Sequence, residues 1–205
     1  MHHWVCRSAG WKNVVEREVV PWAMKEVAPD SNVLEIGPGF GVTTEVIRRS
    51  VERLTCVEID ARLAEALRRK TSGHNVTVVC EDATAMSAKD SSFDAVVCFT
   101  MLHHVPSVPL QDRLLAEVSR VLRPGGVFVG TDSLYSWRFR LLHVFDTMVI
   151  VSPQTFAERL RAAGLADIWI DATTSASRFR FRARKPVAER PLDEQPSDVA
   201  RLQSA

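Results

Sequence analysis

Three carboxylates in this sequence stand at or just beyond the end of a short apolar segment. They are Glu35, Glu58 and Asp82. A carboxylate can only accept hydrogen bonds, so Glu58 is suited to two ribose hydroxyls and Asp82 to an adenine amino group. Ligands of open α/β sheets bind at the carboxyl ends of the strands, where these residues would lie if each segment is a strand. The pattern therefore points to an adenosine site.

A glycine-rich turn follows Glu35 and narrows the choice of adenosine ligand. Its glycines alternate with other residues, at Gly37, Gly39 and Gly41. A dinucleotide loop has the pattern GxGxxG, but Val42 stands here in place of its third glycine. A carboxylate just before the first glycine would also repel a pyrophosphate, whereas it favours a ligand with positive charge. The turn therefore predicts a phosphate-free, cationic adenosine ligand rather than NAD.

Alternating β-rich and amphipathic segments must position these residues. The alternation predicts an α/β fold with a doubly wound, mostly parallel sheet and helices on both faces. We expect strands at residues 32–36, 54–59, 76–80, 95–99, 127–131, 165–172 and 178–184. We expect helices at residues 43–49, 61–70, 110–122 and 153–163. The turn Pro124-Gly125-Gly126 should end the third of these helices, with a left-handed glycine as its cap.

Composition divides the chain into three predicted parts. Residues 1–30 should form a helical cover, in which Pro21 breaks or kinks a helix at residues 11–27. Residues 31–185 should form the main domain. Residues 186–205 contain three prolines and few large apolar groups, so we expect a disordered tail. Trp11 and Trp22 in the cover should pack on the core, although a lid over a ligand is the alternative.

Charge and cysteine content argue against several functional classes. The chain has 205 residues and a formal net charge of +1, so no overall field draws it to nucleic acid or to an anionic membrane. Its four cysteines have neither the spacing of a zinc site nor that of a disulfide framework. We therefore expect free thiols, a cytoplasmic protein and no metal site. No apolar run reaches the length of a membrane span. The expected state is a monomer or homodimer.

Five motifs occur in an order that resembles a known family. They are LEIGPGFG at residues 34–41, VEID at 57–60, EDAT at 81–84, FDAVVCFTMLHHV at 93–105 and AEVSRVLRPGGVFVGTD at 116–132. Together they are similar to the class I S-adenosylmethionine-dependent methyltransferases. The resemblance implies a seven-stranded Rossmann-like sheet with an antiparallel last strand. It also implies S-adenosyl-L-methionine as cofactor and S-adenosyl-L-homocysteine as product.

The resemblance assigns expected roles to the motif residues. Gly37, Gly39 and Gly41 would pass beneath the methionine part of the cofactor, and Glu35 would orient the loop or hold the ammonium group through water. Around the nucleoside and the methyl group, the expected contacts are Glu58 to the ribose, Ile59 beside the adenine, Asp82 and Ala83 at its edge, and Phe99 or Thr100 at the methyl site.

Histidines near the expected acceptor site are candidate general bases. His103 and His104 follow the fourth predicted strand, although a structural role for such imidazoles is at least as compatible with the sequence. His143 and Asp146 lie three apart in the unusually apolar segment 137–151. We expect that segment to be an additional core helix, or else a lid over an apolar or aromatic acceptor.

Residues 178–185, RFRFRARK, alternate strictly between arginine and apolar residues up to the final lysine. In a strand, this pattern places all the arginines on one face. A solvated face is the expected interpretation. A patch for an anion or RNA is the alternative.

The sequence favours methyl transfer to a small-molecule acceptor. An RNA methyltransferase is the main alternative, because VEIDARLAEALRR resembles the matching stretch of rRNA adenine dimethylases. Those enzymes carry an Asn or Asp with Pro-Pro-aromatic after the fourth strand, whereas this chain has Cys98-Phe99-Thr100-Met101. We therefore do not expect a nucleic-acid partner. A cofactor-binding protein without catalysis is a third possibility, and an NAD oxidoreductase is disfavoured by the glycine spacing.

Overall fold

A computed structural model describes residues 9–135, 148–175 and 177–187 of the chain. These residues form a seven-stranded sheet. Its strands are β1 (Asn32–Ile36), β2 (Arg53–Glu58), β3 (Val76–Cys80), β4 (Phe93–Phe99), β5 (Leu122–Ser133), β6 (Ala166–Asp171) and β7 (Arg178–Arg184). They lie in the order β3-β2-β1-β4-β5-β7-β6. The predicted strands are all present, with shifts of a few residues at some ends.

Strand direction confirms the predicted doubly wound, mostly parallel sheet. The first five strands pair in parallel with one another. By contrast, β7 runs antiparallel to both of its neighbours, β5 and β6. The order reverses direction between β1 and β4, because the chain first builds outward to β3 and then returns. Such a switch point opens a crevice above the carboxyl ends of the strands.

Helices cover both faces of the sheet. The cover consists of residues 9–27 and contains α1 (Ala9–Val14), a π-helical turn (Val15–Val19) and α2 (Val20–Met24). The remaining α-helices are α3 (Val42–Ile47), α4 (Ala61–Lys70), α5 (Val108–Val121) and α6 (Pro153–Ala162). Among the described residues, no helix is both long and apolar enough to cross a membrane.

Helix starts and ends have identifiable causes. The Asp60 carboxylate accepts hydrogen bonds from the backbone N–H groups of Arg62 and Leu63, which fixes the first turn of α4 where the sequence predicts it. The predicted glycine cap after α5 is wrong, however. Helix α5 ends at Val121, before the turn, because the following residue already has an extended backbone. Gly125, with φ of +82°, lies instead in the irregular first part of β5.

Pro21 does not end the helix of the cover, which continues through α1, the π-helical turn and α2 without a break. The irregularity occurs one turn earlier, as the π-helical turn. From this turn Val15 and Val19 are buried against Ile47 of α3 and the sheet. The cover therefore packs on one face of the sheet, as expected.

Two apolar cores lie on opposite faces of the sheet. One face is covered by α5 and α6, through buried residues that include Leu115 and Phe156, and receives Phe179 and Phe181 from β7. The other is covered by residues 9–27, α3 and α4. Since β7 sends its phenylalanines to the first core, its arginines must face the cover.

A larger residue at Gly130, in the interior strand β5, should destabilise the fold severely. A Cβ atom at Gly130 would overlap the backbone carbonyl of Cys98 in β4 and the ring of Phe181 in β7. Because backbone atoms cannot move aside, we expect Gly130→Ala to lower the free energy of unfolding by about 1–3 kcal/mol or more. Urea unfolding checks this. Thr77→Ala on the exposed edge strand β3 is the control and should change it by less than about 0.5 kcal/mol. Equal effects of the two substitutions would contradict the packing argument.

Candidate functional site

A cavity of 470 Å³ opens at the carboxyl edge of the parallel strands. Its walls come from the turn after β1, the residues after β2, β3 and β4, the start of α5, and the cover. The cavity lies at the switch point of the strand order, where open α/β sheets bind ligands. Its volume falls in the usual range for a small-molecule site.

The turn after β1 comes close to the neighbouring elements. Gly37 donates its N–H to the Val57 carbonyl at 2.9 Å and has φ of +65°. A Cβ atom there would overlap the Met101 side chain, and one at Gly41 would overlap Leu67 of α4. At Gly39, by contrast, a Cβ would meet nothing within 4 Å. Gly37 is thus needed for packing, the left-handed backbone of Gly41 (φ +69°) favours glycine there, and Gly39 leaves open space.

Glu35 anchors this turn from behind the cavity. Its carboxylate is 1% exposed and accepts hydrogen bonds from the hydroxyls of Thr43 and Thr44 in α3, the latter at 2.6 Å. The Cys56 thiol lies 3.5 Å away as a further donor. Burial raises the pKa of Glu35, and the hydroxyl bonds oppose that shift. Glu35 does not line the cavity, so this geometry favours its expected role in orienting the loop.

Glu58 links the glycine turn to the end of β2. One carboxylate oxygen accepts the N–H of Gly39 at 2.9 Å, and the other accepts the N–H of Asp60 at 3.0 Å. The side chain is 6% exposed and borders the cavity. Each oxygen retains capacity for another donor, so the carboxylate could also accept two hydroxyls, as its expected ribose role requires.

Residues after β2 and β3 form one end of the cavity. Ile59 is 68% exposed, which is unusual for a large apolar side chain. The Asp82 carboxylate accepts the N–H of Thr84 at 2.8 Å, and Ala83 lies beside it in the wall. An apolar surface next to a carboxylate can hold a flat heterocycle with an amino group at its edge. The structure thus brings together the residues predicted to contact adenosine.

The residue after β4 has a strained backbone at the cavity wall. Thr100 has φ of +50°, which is uncommon for a branched side chain. Its N–H donates to the Thr131 carbonyl at 2.7 Å, and its hydroxyl donates to the Phe99 carbonyl at 2.8 Å. Phe99 and Thr100 both line the cavity, as does Met101. Strain of this kind concentrates at functional sites, because the surrounding structure must hold it in place.

The two neighbouring histidines have different environments. His103 is 1% exposed, and its Nδ1 lies 2.5 Å from the carboxylate of the fully buried Asp132 at the end of β5. It does not line the cavity. His104 does, and its ring lies 4.2 Å from that of His103. His143 and Asp146 lie outside the described residues, as do residues 137–147 of the expected lid segment.

The sequence analysis did not identify several residues of the site. Trp11 and Phe40 line the cavity, and Asp132 supports the histidine pair. Only Trp11 had been considered as part of a lid. The position of Asp132 at the end of β5 was a usable signal, because strand ends meet at this edge. Among the described lining residues there is no lysine or arginine, and the described part of the chain contains no cluster suited to a metal ion.

Comparison with known proteins identifies the domain. A family profile described as "Methyltransferase domain" matches residues 34–130, which include the glycine turn, Glu58, Asp82 and both histidines. Residues 34–130 carry a methyltransferase domain, consistent with a class I methyltransferase. S-adenosylmethionine is the cofactor of this family, and the order of elements around the cavity agrees with it.

Relatives with different acceptors share this methyltransferase domain. The chain is 33% identical over 111 residues to ribosomal RNA small subunit methyltransferase A of Corynebacterium glutamicum, covering 51% of this chain and 37% of that protein. It is 31% identical over 116 residues to ubiquinone biosynthesis O-methyltransferase of Xanthomonas campestris, covering 53% and 46%. The chain thus spans less than half the length of these relatives.

A solved structure extends the likeness to almost the whole fold. It is a chain of the complex between the Haloferax volcanii Trm112 methyltransferase activator and a methyltransferase. The TM-score is 0.71 at 19% identity, covering 92% of this chain and 96% of that one. This similarity shows the Rossmann-like methyltransferase fold, including the antiparallel last strand.

The residues of the cavity fit S-adenosylmethionine. Glu58 offers acceptors for ribose, and Asp82 with Ile59 offers an acceptor and an apolar surface for adenine. The open space at Gly39 allows the methionine part to pass over the turn. A neutral or cationic ligand also suits a described wall that has acidic side chains but no lysine or arginine.

The buried carboxyl of Glu35 predicts a pH dependence of stability. Because its pKa is raised in the folded protein, the native state binds this proton more tightly than the unfolded chain, and stability falls as pH rises above the ordinary pKa. We expect Glu35→Gln to remove this decline. Between the ordinary pKa of a glutamate and the raised pKa of Glu35 in the folded protein, the free energy of unfolding of the variant minus that of wild type should increase with pH. The increase should be at most about 1.4 kcal/mol per pH unit. Urea unfolding at several pH values checks this, and a difference independent of pH would contradict it.

We expect the Asp82→Ala variant to fold normally but to bind the cofactor more weakly. Removing the acceptor would leave the adenine amino group unpaired and weaken S-adenosylhomocysteine binding by about 1–3 kcal/mol. Calorimetric titration measures this, with Glu158→Ala as a matched control on the exposed side of α6. Wild-type affinity in the Asp82 variant would contradict the adenine assignment.

Proposed function

We propose that this protein transfers a methyl group from S-adenosylmethionine to a small, uncharged acceptor with apolar or aromatic character. The observation that carries the proposal is the composition of one continuous cavity. Carboxylates border its nucleoside end, whereas Trp11, Phe40, Phe99 and Met101 contribute apolar side chains elsewhere in its wall. No lysine or arginine of the described chain lines it. An acceptor with phosphate groups would lack a cationic partner there.

The chemistry demands position more than reactive side chains. S-adenosylmethionine supplies an electrophilic methyl group together with its own leaving group. The protein must hold the acceptor in line with that methyl group and exclude water. We infer that Glu58 and Asp82 fix the nucleoside, while Phe99 and Thr100 at the end of β4 border the methyl site.

His104 is the proposed general base for an uncharged acceptor such as a hydroxyl. It lines the cavity, and it follows β4 just after Met101. His103 is set aside for this role because its ring is buried against Asp132, away from the cavity. The buried pair instead ties the loop after β4 to the end of β5.

An RNA acceptor is the second candidate, because one relative at 33% identity is an rRNA methyltransferase. Two observations favour a small molecule instead. The described cavity wall has no cation for the phosphate backbone, and the residues after β4 lack the motif that holds a flipped base. A relative that acts in ubiquinone biosynthesis matches a similar share of the chain.

The experiment follows a labelled methyl group into separated fractions. Purified protein is incubated with labelled S-adenosylmethionine and a cell extract, and the label is measured in small molecules, total RNA and protein. We expect label in the small-molecule fraction. Label in RNA alone would reverse the choice of acceptor. Absence of label in all fractions, despite saturable cofactor binding, would favour a protein that binds the cofactor without catalysis.

His104→Gln tests the proposed base. For a hydroxyl acceptor we expect kcat to fall by about 10²-fold or more, while the affinity for S-adenosylhomocysteine changes by less than about twofold. The rise of kcat with pH that reports deprotonation of the wild-type imidazole should also disappear. Steady-state kinetics across pH measure both effects. An unchanged pH profile would contradict a proton-transfer role for His104.

A further inference from the structure

The half-buried arginines of β7 lie against the cover. We call the alternating residues Arg178, Arg180, Arg182 and Arg184 the arginine face. The guanidinium of Arg178 lies 5.4 Å from the ring centre of Trp11, and that of Arg180 lies 5.2 Å from the ring centre of Trp22. Each of the other two donates to a different carboxylate oxygen of Glu26 at 2.8 Å. The expectation of a solvated face is met only in part: the cover supplies a partner for each of these arginines, while Arg182 and Arg184 keep about a third of their side chains exposed.

Strand register aligns the cover with the cavity. Arg184 pairs with Val127 near the start of the regular part of β5, whereas Arg178 pairs with Ser133 at its end. The end of β5 belongs to the same edge as the ends of β1 to β4, where the cavity opens. The cover therefore runs along β7 with Glu26 at the far edge and Trp11 at the cavity edge. The stack of Arg178 on Trp11 and the ion pairs of Glu26 lie at the two ends of this alignment.

The two tryptophans of the cover have similar partners but different surroundings. Trp11 lines the cavity. Trp22 does not, and its ring instead lies 6.0 Å from that of Trp169 in β6. One guanidinium of the arginine face stacks on each tryptophan ring. Only one of them can therefore contact a ligand in the cavity.

Sheet order separates Trp11 from the nucleoside residues. Glu58 and Asp82 follow β2 and β3, which lie on one side of β1. Arg178, which stacks on Trp11, belongs to β7 on the opposite side, beyond β4 and β5. The indole accordingly borders the part of the cavity left for the acceptor once the nucleoside is in place.

We propose that Trp11 is a specificity-determining residue for the methyl acceptor, and that Arg178 is the positioning residue that holds its indole in the cavity wall. The inference rests on the proposed function and names the acceptor more closely, as a molecule with a planar apolar ring. An indole offers a large rigid face to such a ring. Burial lowers the pKa of Arg178, which agrees with a guanidinium enclosed between cover and sheet.

The test compares two neutral phenols that differ by one fused ring. Protein saturated with S-adenosylhomocysteine is titrated with phenol and with 1-naphthol by calorimetry. Wild type should prefer 1-naphthol by about tenfold or more, because the second ring is buried against the indole. Trp11→Ala should reduce this preference to less than about threefold, and Trp11→Phe should retain part of it.

Matched variants separate selection of the acceptor from packing of the cover. Trp22→Ala and Arg180→Met remove the equivalent stack that does not reach the cavity, and should preserve the preference for 1-naphthol. Arg178→Met should lower the preference, because the indole is no longer held. Thermal unfolding and affinity for S-adenosylhomocysteine are measured for each variant. We expect the cofactor affinity of the Trp11 and Arg178 variants to stay within about twofold of wild type.

Several outcomes would overturn the inference. An equal loss of preference in the Trp11 and Trp22 variants would show a purely structural role for both. A Trp11→Phe variant that folds and loses cofactor affinity would place the indole at the cofactor. A wild-type protein that binds S-adenosylhomocysteine but shows no ring preference would contradict this inference alone. If wild type fails to bind S-adenosylhomocysteine at all, the proposed function itself fails.

Discussion

The site depends on one packing constraint, the close fit of the turn between β1 and α3. Gly37 must lie against Met101 and the backbone of β2, while Gly41 must lie against α4. Buried Glu35 holds α3 from below through two threonine hydroxyls, and Glu58 holds the turn from the side through the N–H of Gly39. Because these bonds join β1, β2 and α3, the cavity floor and the nucleoside carboxylate are set together.

The antiparallel position of β7 completes the opposite side of the cavity. Its phenylalanines fill the core under α5 and α6, so its arginines emerge toward the cover. The cover is then aligned by stacking and by the two ion pairs to Glu26, which carries Trp11 to the edge where the parallel strands end. A strand that builds the sheet thereby also helps shape the part of the wall expected to meet the acceptor.

Local patterns were sufficient to predict the fold and the nucleoside end of the site. β1, β3 and α4 have their predicted bounds, because apolar periodicity and a capping Asp60 mark them in the sequence. Glu58 and Asp82 could be found because strand ends meet at one edge. Contacts between distant segments were not accessible in this way. The bond from Arg182 to Glu26 joins residues 156 apart, and the pairing of His103 with Asp132 joins residues 29 apart. No local pattern distinguishes an arginine face under a helix from one in water.

The most direct test of this account is a calorimetric titration of the purified protein with S-adenosylhomocysteine, with NAD as the control ligand. We predict saturable binding of S-adenosylhomocysteine and no binding of NAD. The reasons are the glycine turn, the carboxylates of Glu58 and Asp82, and the absence of lysine and arginine from the described cavity wall. Binding of NAD alone, or of neither ligand, would contradict the assignment of this cavity to an adenosyl-sulfur cofactor.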